Sequence, residues 1–580
     1  MFKRLSPLFP YLRRYWRSFA WGGLALILYN ACKAMIPLLI GDATNDIQHN
    51  LSAATLEHHA LRLLGVAAVA AVALYLTRQI IIGASREIEF DLRNDLFSHL
   101  EKQPPEFFQR HRTGDIMARS TNDLNAVRQL LGPAIMYSAN TIVFTAAALP
   151  FMLRISPRLT AFAFLPLPFA SVLVQYFGAR IHTRFERIQA MFSDISAQAE
   201  QNFSGARLIR AFSQEEAQIA AFEESNREYI RRSLLLARLM AMLWPTLEFV
   251  LGISLMITLL VGGREVVQHR ITVAQFFTYN VFMVQLTWPM IAIGWVVNLV
   301  QRGAASVVRI DAIMTEKPSI DDSEALDPPP ICGHLRLNHL TFAYPTGPTI
   351  LHDITLEIPA GASLANDGPT GSGKSTLVSL IPRLYDADPG SITLDGRPLR
   401  DYPLQTLRES IGFVPQETFL FSTTIAGNIA FGEPDADEVE IEAAARTAHI
   451  ANEILDFPAQ FHTIVGERGM TLSGGQKQRT AIARAILRDP RILILDDALA
   501  SVDTNTEDQI LSNLRAEMEG RTTILIAHRV STAKTADRIA VLEAGRIIEL
   551  GTHDELLARN GYYASLAEKQ SLEEEILTAQ

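Results

Sequence analysis

Cysteine is scarce in this chain, which has only Cys32 and Cys332 among its 580 residues. Two cysteines so far apart build no disulfide framework and no zinc-ligand spacing, which excludes a disulfide-stapled secreted domain and a cysteine-based metal site. Positive charge is also sparse after residue 330, where 21 Lys and Arg stand against 35 Asp and Glu. Because binding to a nucleic-acid backbone needs clustered cations, we exclude a nucleic acid as a partner.

Long apolar stretches, by contrast, are frequent in the first half. A helix needs about 20 residues to cross the hydrocarbon of a bilayer. By this measure the sequence predicts six spans, near 18–40, 61–84, 130–153, 159–181, 236–267 and 272–303. The first seventeen residues hold five Lys and Arg and no acidic residue, which predicts a cytoplasmic N-terminus. An even number of spans then returns the second half to the cytoplasm, with a lipid bilayer as partner of the first half.

The connections between these spans alternate between short and long. Segments 85–129 and 182–235 are charged and helix-prone, so each predicts two helices that extend into the cytoplasm and return. Glu248 lies within the fifth predicted span, where an ionisable group is a functional candidate. We hypothesise that Glu248 recognises cationic substrates.

A phosphate-binding loop follows in the second half, where residues 368–376 read Gly-Pro-Thr-Gly-Ser-Gly-Lys-Ser-Thr. This is the pattern G-x-x-x-x-G-K-S, in which glycines let backbone N–H groups converge on phosphate oxygens. The lysine of the pattern reaches the β- and γ-phosphates, and its serine binds Mg²⁺. The residues predicted to bind ATP here are Gly368, Gly371, Gly373, Lys374, Ser375 and Thr376.

Two further motifs accompany the loop. The run Arg-Ile-Leu-Ile-Leu-Asp at 491–496 predicts a buried parallel strand that ends in Asp496, a carboxylate suited to Mg²⁺. The sequence Leu-Ser-Gly-Gly-Gln stands at 472–476.

With the six predicted spans, these motifs resemble the ATP-binding cassette (ABC) exporters in their half-transporter form, over essentially the whole chain. The resemblance implies an α-helical transmembrane domain over 1–326 and an α/β P-loop ATPase domain with a helical subdomain over 327–580. It also implies that two chains sandwich two ATP molecules with Mg²⁺ between their ATPase domains. The implied function is ATP-driven export of amphipathic drugs or lipids across a bacterial inner membrane by alternating access.

The resemblance also implies roles for single residues. Tyr344 is similar to the aromatic residue that stacks on adenine, and Gln416 to the glutamine near Mg²⁺ and the attacking water. His528 resembles the switch histidine that orients the γ-phosphate. The implied catalytic set is Asp497, His528 and Gln416, and the implied Mg²⁺ set is Ser375, Gln416 and Asp496.

Other matching segments are implied to act between domains or subunits. Ser473, Gly474, Gly475 and Gln476 resemble the signature that reaches ATP from the opposite subunit, and Asp503 resembles the D-loop aspartate. Segments 107–123 and 205–212 resemble the two coupling regions, and 466–469 resembles an exporter loop that contacts the membrane helices.

Asp497 departs from the family, which usually has a glutamate as general base at this position. Aspartate is shorter by one methylene, about 1.5 Å of reach. A misplacement of about 1 Å can cost roughly 100-fold in rate, so Asp497 is expected to be a poor base. This favours a heterodimer in which this chain supplies the weakened site, whereas the intact His528 is compatible with a slow homodimer.

Asn366 and Asp367 are a second departure, because the family usually has apolar strand residues before the phosphate loop. If Asp367 faces the phosphates it should weaken ATP binding, and if it turns to solvent little changes.

Other functions remain open at this point. An ATP-gated channel or regulatory subunit is one alternative, a lipid flippase working as a homodimer is another, and import of a chelated metal by the same fold is a third.

Overall fold

The structure is a computed structural model that describes residues 2–49, 52–327, 329–345, 347–466, 469, 471–499 and 504–578. The chain forms two compact units. The first contains Met1–Glu101 and Arg112–Glu316, and the second contains Lys102–His111 and Lys317–Gln580.

The first unit is helical throughout its described residues. Its α-helices are Phe9–Arg14, Trp16–His49, Ala53–Leu100, Thr113–Ala118, Leu124–Gln129, Ile135–Ile155, Pro157–Phe164, Leu167–Ser204, Ala206–Ala211, Glu215–Val267 and Val273–Met314. A 3-10 helix covers Phe2–Leu8, and two π-helical turns, Arg119–Asp123 and Leu130–Ala134, join the helices between residues 113 and 155. The long helices continue past the apolar runs into segments 85–129 and 182–235, as the sequence predicted.

Five helices in the described part of the chain are long and apolar enough to cross a membrane. They are Trp16–Gln48, Ala53–Leu100, Thr113–Ile155, Glu215–Val267 and Val273–Met314. The fourth stretch, predicted as one span over 159–181, falls instead on two helices, Pro157–Phe164 and Leu167–Ser204. Pro166 lies at this interruption and has no backbone N–H to donate.

A buried polar group joins two of these helices. The Asp123 carboxylate accepts hydrogen bonds from Ser306 Oγ at 2.8 Å and from Arg309 Nε at 2.8 Å. Arg119 Nη1 also donates to the Arg309 carbonyl at 3.0 Å. Because a buried carboxylate is costly unless it is paired, this group specifies how the helix containing Asp123 meets Val273–Met314.

The second unit is built on two sheets. Its strands are β1 Leu335–Ala343, β2 Thr349–Ile358, β3 Ser363–Asp367, β4 Ile392–Leu394, β5 Arg397–Pro398, β6 Ile411–Val414, β7 Ile492–Asp496, β8 Thr522–Ile526, β9 Arg538–Glu543 and β10 Arg546–Gly551. The antiparallel sheet has the order β2-β1-β4-β5, and the larger sheet has the order β10-β9-β3-β8-β7-β6. In the larger sheet every pair is parallel except β10 with β9.

Helices of this unit pack around the two sheets. The described ones are Pro105–Arg110, Lys374–Leu380, Leu404–Glu409, Ile425–Ile429, Glu438–Thr447, Ala451–Leu455, Gly474–Leu487, Thr504–Met518, Val530–Ala533, His553–Ala558 and Tyr562–Thr578, with short 3-10 turns at Leu399–Asp401, Ala430–Gly432 and Gln460–His462. Strands β7 and β8 are buried along their whole length, since helices or the second sheet cover both faces. Four parallel strands, β3, β8, β7 and β6, therefore end side by side at one edge, where ligands of such sheets bind.

Candidate functional site: an ATP site at the edge of the sheet

The phosphate loop leaves β3 through three glycines with left-handed backbone. Gly368 has φ +138°, Gly371 +81° and Gly373 +104°. A Cβ atom on Gly368 would lie 2.0 Å from the Leu542 carbonyl oxygen, so only glycine fits there. The loop is thus shaped by backbone that other residues rarely adopt, as a cradle of N–H groups requires.

Lys374 follows this loop with a buried side chain. Its Nζ donates to the carbonyl oxygens of Gly368 at 2.7 Å and Pro369 at 3.0 Å. Burial lowers the pKa of the Lys374 ammonium, and the nearby Asp367 opposes that shift. A dehydrated cation held by its own loop is placed to exchange carbonyl contacts for phosphate oxygens.

Ser375 and Asp496, the two residues predicted to bind Mg²⁺ from the two motifs, are in contact at the strand edge. Ser375 Oγ donates to Asp496 Oδ1 at 3.0 Å. Burial raises the pKa of the Asp496 carboxyl, against the hydrogen bond from Ser375, while the neighbouring Asp497 raises it further. A hydroxyl and a carboxylate in contact next to a phosphate loop have the oxygen chemistry that Mg²⁺ takes together with substrate phosphates.

Asp497, Gln416 and His528 also converge at this edge. Gln416 Nε2 lies 3.4 Å from Asp497 Oδ2, and His528 Nε2 lies 3.9 Å from the same oxygen. Asp497 has φ +52°, a conformation that aspartate tolerates better than most residues. The three residues come from the ends of β6, β7 and β8, so the strand order brings them together.

Tyr344 stands beside the loop in an aromatic cluster. Its hydroxyl is 3.1 Å from Thr376 Oγ1, and its ring lies edge-on to Phe342 and Tyr385 at 5.1 and 5.0 Å. Tyr385 in turn accepts a hydrogen bond on its hydroxyl from Gln109 Nε2 at 2.7 Å. Gln109 belongs to the short helix Pro105–Arg110, within the first coupling segment, which the structure places in the ATPase unit.

The signature residues form a helix cap. Ser473 Oγ accepts from the Gln476 N–H at 3.2 Å, and Gln476 Oε1 accepts from the Ser473 N–H at 2.9 Å. Gln476 Nε2 donates to Glu453 at 2.8 Å. Within the described residues, none of these bonds joins the signature to the phosphate loop.

Some predicted residues lie outside the described part of the chain. These are Asp503 and, in the predicted exporter loop, Glu467 and Arg468.

The two polar residues that depart from the family pattern, Asn366 and Asp367, lie at the buried end of β3, before the phosphate loop. Both residues are 1% exposed at the end of β3, which excludes the alternative in which Asp367 turns to solvent. The Gly368 N–H donates to Asp367 Oδ1 at 2.6 Å, whereas Asp367 Oδ2 and both polar side-chain atoms of Asn366 have no partner. Burial raises the pKa of the Asp367 carboxyl, against the Gly368 N–H and the charge of Lys374. Strand β3 lies between β8 and β9 in the sheet, which is why its last residues, Asn366 and Asp367, are shielded from water.

The membrane half contains one predicted candidate and one that we did not predict. Glu248 is exposed on Glu215–Val267. Lys33 places its ammonium 4.2 Å from the ring centroid of Phe144, and Asn30, one turn away, donates to Asn140 at 3.1 Å. A lysine inside the first predicted span is a sequence signal of the same kind as Glu248, an ionisable group within a membrane helix.

Comparisons with known proteins agree with this architecture. The family model described as the ABC transporter transmembrane region matches residues 19–290, and the ABC transporter model matches residues 351–500. The "Multidrug resistance-like ATP-binding protein MdlA" of Escherichia coli (strain K12) is 38% identical over 569 residues, covering 97% of this chain and 96% of that protein. An "ATP-dependent lipid A-core flippase" of Syntrophus aciditrophicus (strain SB) is 34% identical, over 99% of this chain and 95% of the flippase.

A solved structure matches as well. The "Structure of a bacterial Atm1-family ABC exporter with ATP bound" superposes with a TM-score of 0.80 at 27% identity, covering 96% of this chain and 99% of that one. The chain therefore belongs to the ABC transporters and is an ATP-hydrolysing, multi-pass membrane exporter of the multidrug or lipid type.

Proposed function

We propose that this chain is one half of a two-chain exporter that moves amphipathic molecules out across a bacterial inner membrane by alternating access. The observation that carries the proposal is the contact of Ser375 with Asp496 beside a glycine loop, in a chain whose described first unit has five helices long and apolar enough to cross a membrane. The proposed order of events is that ATP closes the two ATPase domains and hydrolysis opens them, which switches the helices as rigid bodies.

Each residue of the phosphate site has a proposed role. The N–H groups of the loop and the Lys374 ammonium bind the phosphates of ATP, and the Tyr344 ring stacks on its adenine. Ser375 and Asp496, with Gln416, would hold Mg²⁺, which neutralises charge on the β- and γ-phosphate oxygens when bound. The fit is supported by the contact between two oxygen ligands, the Ser375 hydroxyl and the buried carboxylate of Asp496.

Asp497 is the proposed proton acceptor for the attacking water, at its Oδ2 atom. Gln416 and His528 face that oxygen at 3.4 and 3.9 Å, so both orient the reacting groups around it. The side chain is one methylene shorter than the usual glutamate, and turnover at this site is therefore slow.

A second chain is needed to complete the proposed site. The signature of this chain bonds to Glu453 and caps its own helix, and it would face the ATP of a partner rather than its own. The second coupling segment also exposes apolar side chains, with Leu208 64% and Phe212 68% exposed. We propose that this surface docks on the ATPase domain of the partner subunit, since exposed apolar patches mark interaction sites.

We propose a heterodimer in which the companion chain has a glutamate at the catalytic position. The short side chain of Asp497 supports this arrangement, since it weakens the ATP site of this chain. The complete signature of this chain would then serve the active site of the companion. The experiment is vanadate-sensitive ATPase activity of this chain purified alone. Robust turnover without a companion would reject the heterodimer and leave the homodimer.

Slow ATP hydrolysis would also be compatible with an ATP-gated channel. A transport assay distinguishes an exporter from such a channel. The full transporter is reconstituted in proteoliposomes with a fluorescent amphipathic dye, and accumulation against a gradient is followed after addition of Mg-ATP. Uphill, vanadate-sensitive accumulation is expected. Dye movement that stops at equal concentrations would favour the channel, and ATP-dependent scrambling of a labelled lipid would favour a flippase, the activity named for the Syntrophus relative.

A further inference from the structure

The last described helix, Tyr562–Thr578, contacts the loop that carries His528. Gln570 Nε2 donates to the His528 carbonyl oxygen at 2.8 Å, and Gln570 Oε1 accepts from the Val530 N–H at 2.8 Å. We propose that Gln570 is a positioning residue for His528, an inference that rests on the catalytic role proposed for this histidine.

The His528 loop is short and ends in a helix without its own cap. Strand β8 ends at Ile526 and the next helix begins at Val530, so only residues 527–529 connect them. The first N–H groups of a helix have no partner within it, and the side chain of Arg529 supplies no cap. Gln570 supplies that missing acceptor from a distant part of the chain.

The chemistry of the contact suits glutamine. Only an amide side chain offers an acceptor and a donor side by side at neutral pH, to match a backbone N–H and a nearby carbonyl. Glutamate would place a second oxygen against the His528 carbonyl, and asparagine is about 1.5 Å shorter.

The helix of Gln570 is fixed at its start. The Glu549 carboxylate accepts from the Tyr562 N–H at 2.6 Å and the Tyr563 N–H at 3.2 Å. Tyr563 is fully buried, and its hydroxyl lies 2.8 Å from His553 Nδ1. Gln570 is two turns further along, so this anchor sets where its amide meets the loop.

A second contact holds the loop from another helix. The Arg529 guanidinium pairs with the Glu507 carboxylate, which is buried and also accepts from Thr532. The backbone on both sides of Arg529 is thus bonded to Gln570, while its side chain is bonded to Thr504–Met518. The imidazole of His528 is 40% exposed, and its Nε2 lies 3.9 Å from Asp497 Oδ2.

The test uses the full transporter, with its companion chain if one is needed for turnover. Gln570→Met removes both hydrogen bonds at similar length and is expected to lower kcat about tenfold, while KM for ATP stays within about twofold. Gln570→Glu keeps the acceptor but loses the donor, and is expected to lower kcat as well. Lys569→Met, at an exposed neighbour on the same helix, is the matched control and should change neither parameter.

Two further measurements separate positioning from general destabilisation. In a His528→Ala background, Gln570→Met should have no additional effect on kcat, because it acts through the histidine. Hydrogen exchange of the Val530 amide should speed up in Gln570→Met alone. An equal loss of kcat in both backgrounds, or unchanged exchange, would overturn the inference.

The outcomes also distinguish this inference from the proposed function. If His528→Ala leaves turnover intact, the proposed role of His528 is wrong, and with it the positioning role of Gln570. The exchange of the Val530 amide then still reports whether the bond itself exists.

Discussion

Asp497 Oδ2 and His528 Nε2 lie 3.9 Å apart, with Gln416 Nε2 3.4 Å from the same carboxylate oxygen. The gap is too wide for a hydrogen bond between histidine and carboxylate. A longer acid at position 497 would carry its carboxylate further from the backbone, into the space where a water must be activated.

Asp497→Glu is therefore expected to raise kcat. The gain should reach up to about 100-fold, since a misplacement near 1 Å costs a factor of this size. The measurement is steady-state ATPase activity of this chain in detergent and with its companion. Asp497→Asn is the control and should lower whatever turnover the wild type has. Equal activity of the glutamate variant and the wild type would show that side-chain reach is not limiting.

Lys374→Met should remove most ATP binding. The ammonium is buried in the loop, and a hydrogen bond to a charged group contributes about 1.5–3 kcal/mol, which corresponds to roughly 10–100-fold in Kd. Binding of a fluorescent ATP analogue to the purified chain measures the effect, and Lys569→Met serves as control. Unchanged binding together with unchanged transport would contradict the whole assignment of the site.

Asp367→Asn should stabilise the ATPase unit, with an effect that grows as pH rises. Burial raises the pKa of this carboxyl in the folded state, so the folded protein prefers the protonated form. Below the unfolded-state pKa of about 4 the carboxyl is protonated in both states and costs nothing. Above it the unfolded chain ionises more readily, and stability declines until pH passes the raised folded pKa.

Thermal unfolding of the detergent-purified chain across pH 4 to 8 tests this sign. The difference in Tm between Asp367→Asn and wild type should widen from the acidic to the neutral end. Asp456→Asn, at an exposed position, is the control and should show no such trend. A Tm difference between Asp367→Asn and wild type that narrows towards neutral pH would mean that the buried carboxylate is stabilised as an anion.

Tyr385→Phe should weaken the link between substrate and ATP turnover. The change removes the hydroxyl that accepts from Gln109 at 2.7 Å but keeps the ring next to Tyr344. Basal ATPase activity is expected to stay within about twofold, while its stimulation by transported substrate falls. Tyr402→Phe also loses a hydroxyl hydrogen bond, to the Leu394 carbonyl at 2.8 Å, and should leave stimulation intact. Loss of stimulation in both variants would point to stability instead.

Glu248→Gln should reduce transport of cationic substrates and spare neutral ones. A carboxylate within a membrane helix attracts a cation strongly because the surrounding dielectric is low. Uptake of a matched cationic and neutral dye pair into proteoliposomes measures the difference. Lys33→Met, which removes charge of the opposite sign from another helix, should not reproduce this pattern. Equal effects of Glu248→Gln on both dyes would exclude charge recognition.

Sequence alone was sufficient for the parts of the molecule set by local pattern. The phosphate loop, the strand ending in Asp496 and the long helices follow from motif spacing and apolar runs, both of which act over short distances.

The remaining features depend on contacts between distant residues. Gln570 meets the His528 loop across 42 positions, and no local pattern marks a glutamine as a cap for another helix. The burial of Asp367 follows from the position of β3 between β8 and β9, a strand order that composition does not reveal. The sequence shows Pro166 within the fourth predicted span. Whether a proline bends a membrane helix or divides it into two depends on the neighbouring helices, which the sequence does not reveal.

The helix Pro105–Arg110 has a practical consequence for work on the isolated ATPase. Ten residues, Lys102–His111, belong to this unit although more than 200 positions separate them in sequence from Lys317. A recombinant fragment that starts at residue 317 would leave the Tyr385 hydroxyl without its Gln109 donor, next to the ring of Tyr344, which is proposed to stack on adenine. Nucleotide affinities measured on such a truncated protein would describe an altered molecule, and a fusion that restores the missing decapeptide would be the better reagent.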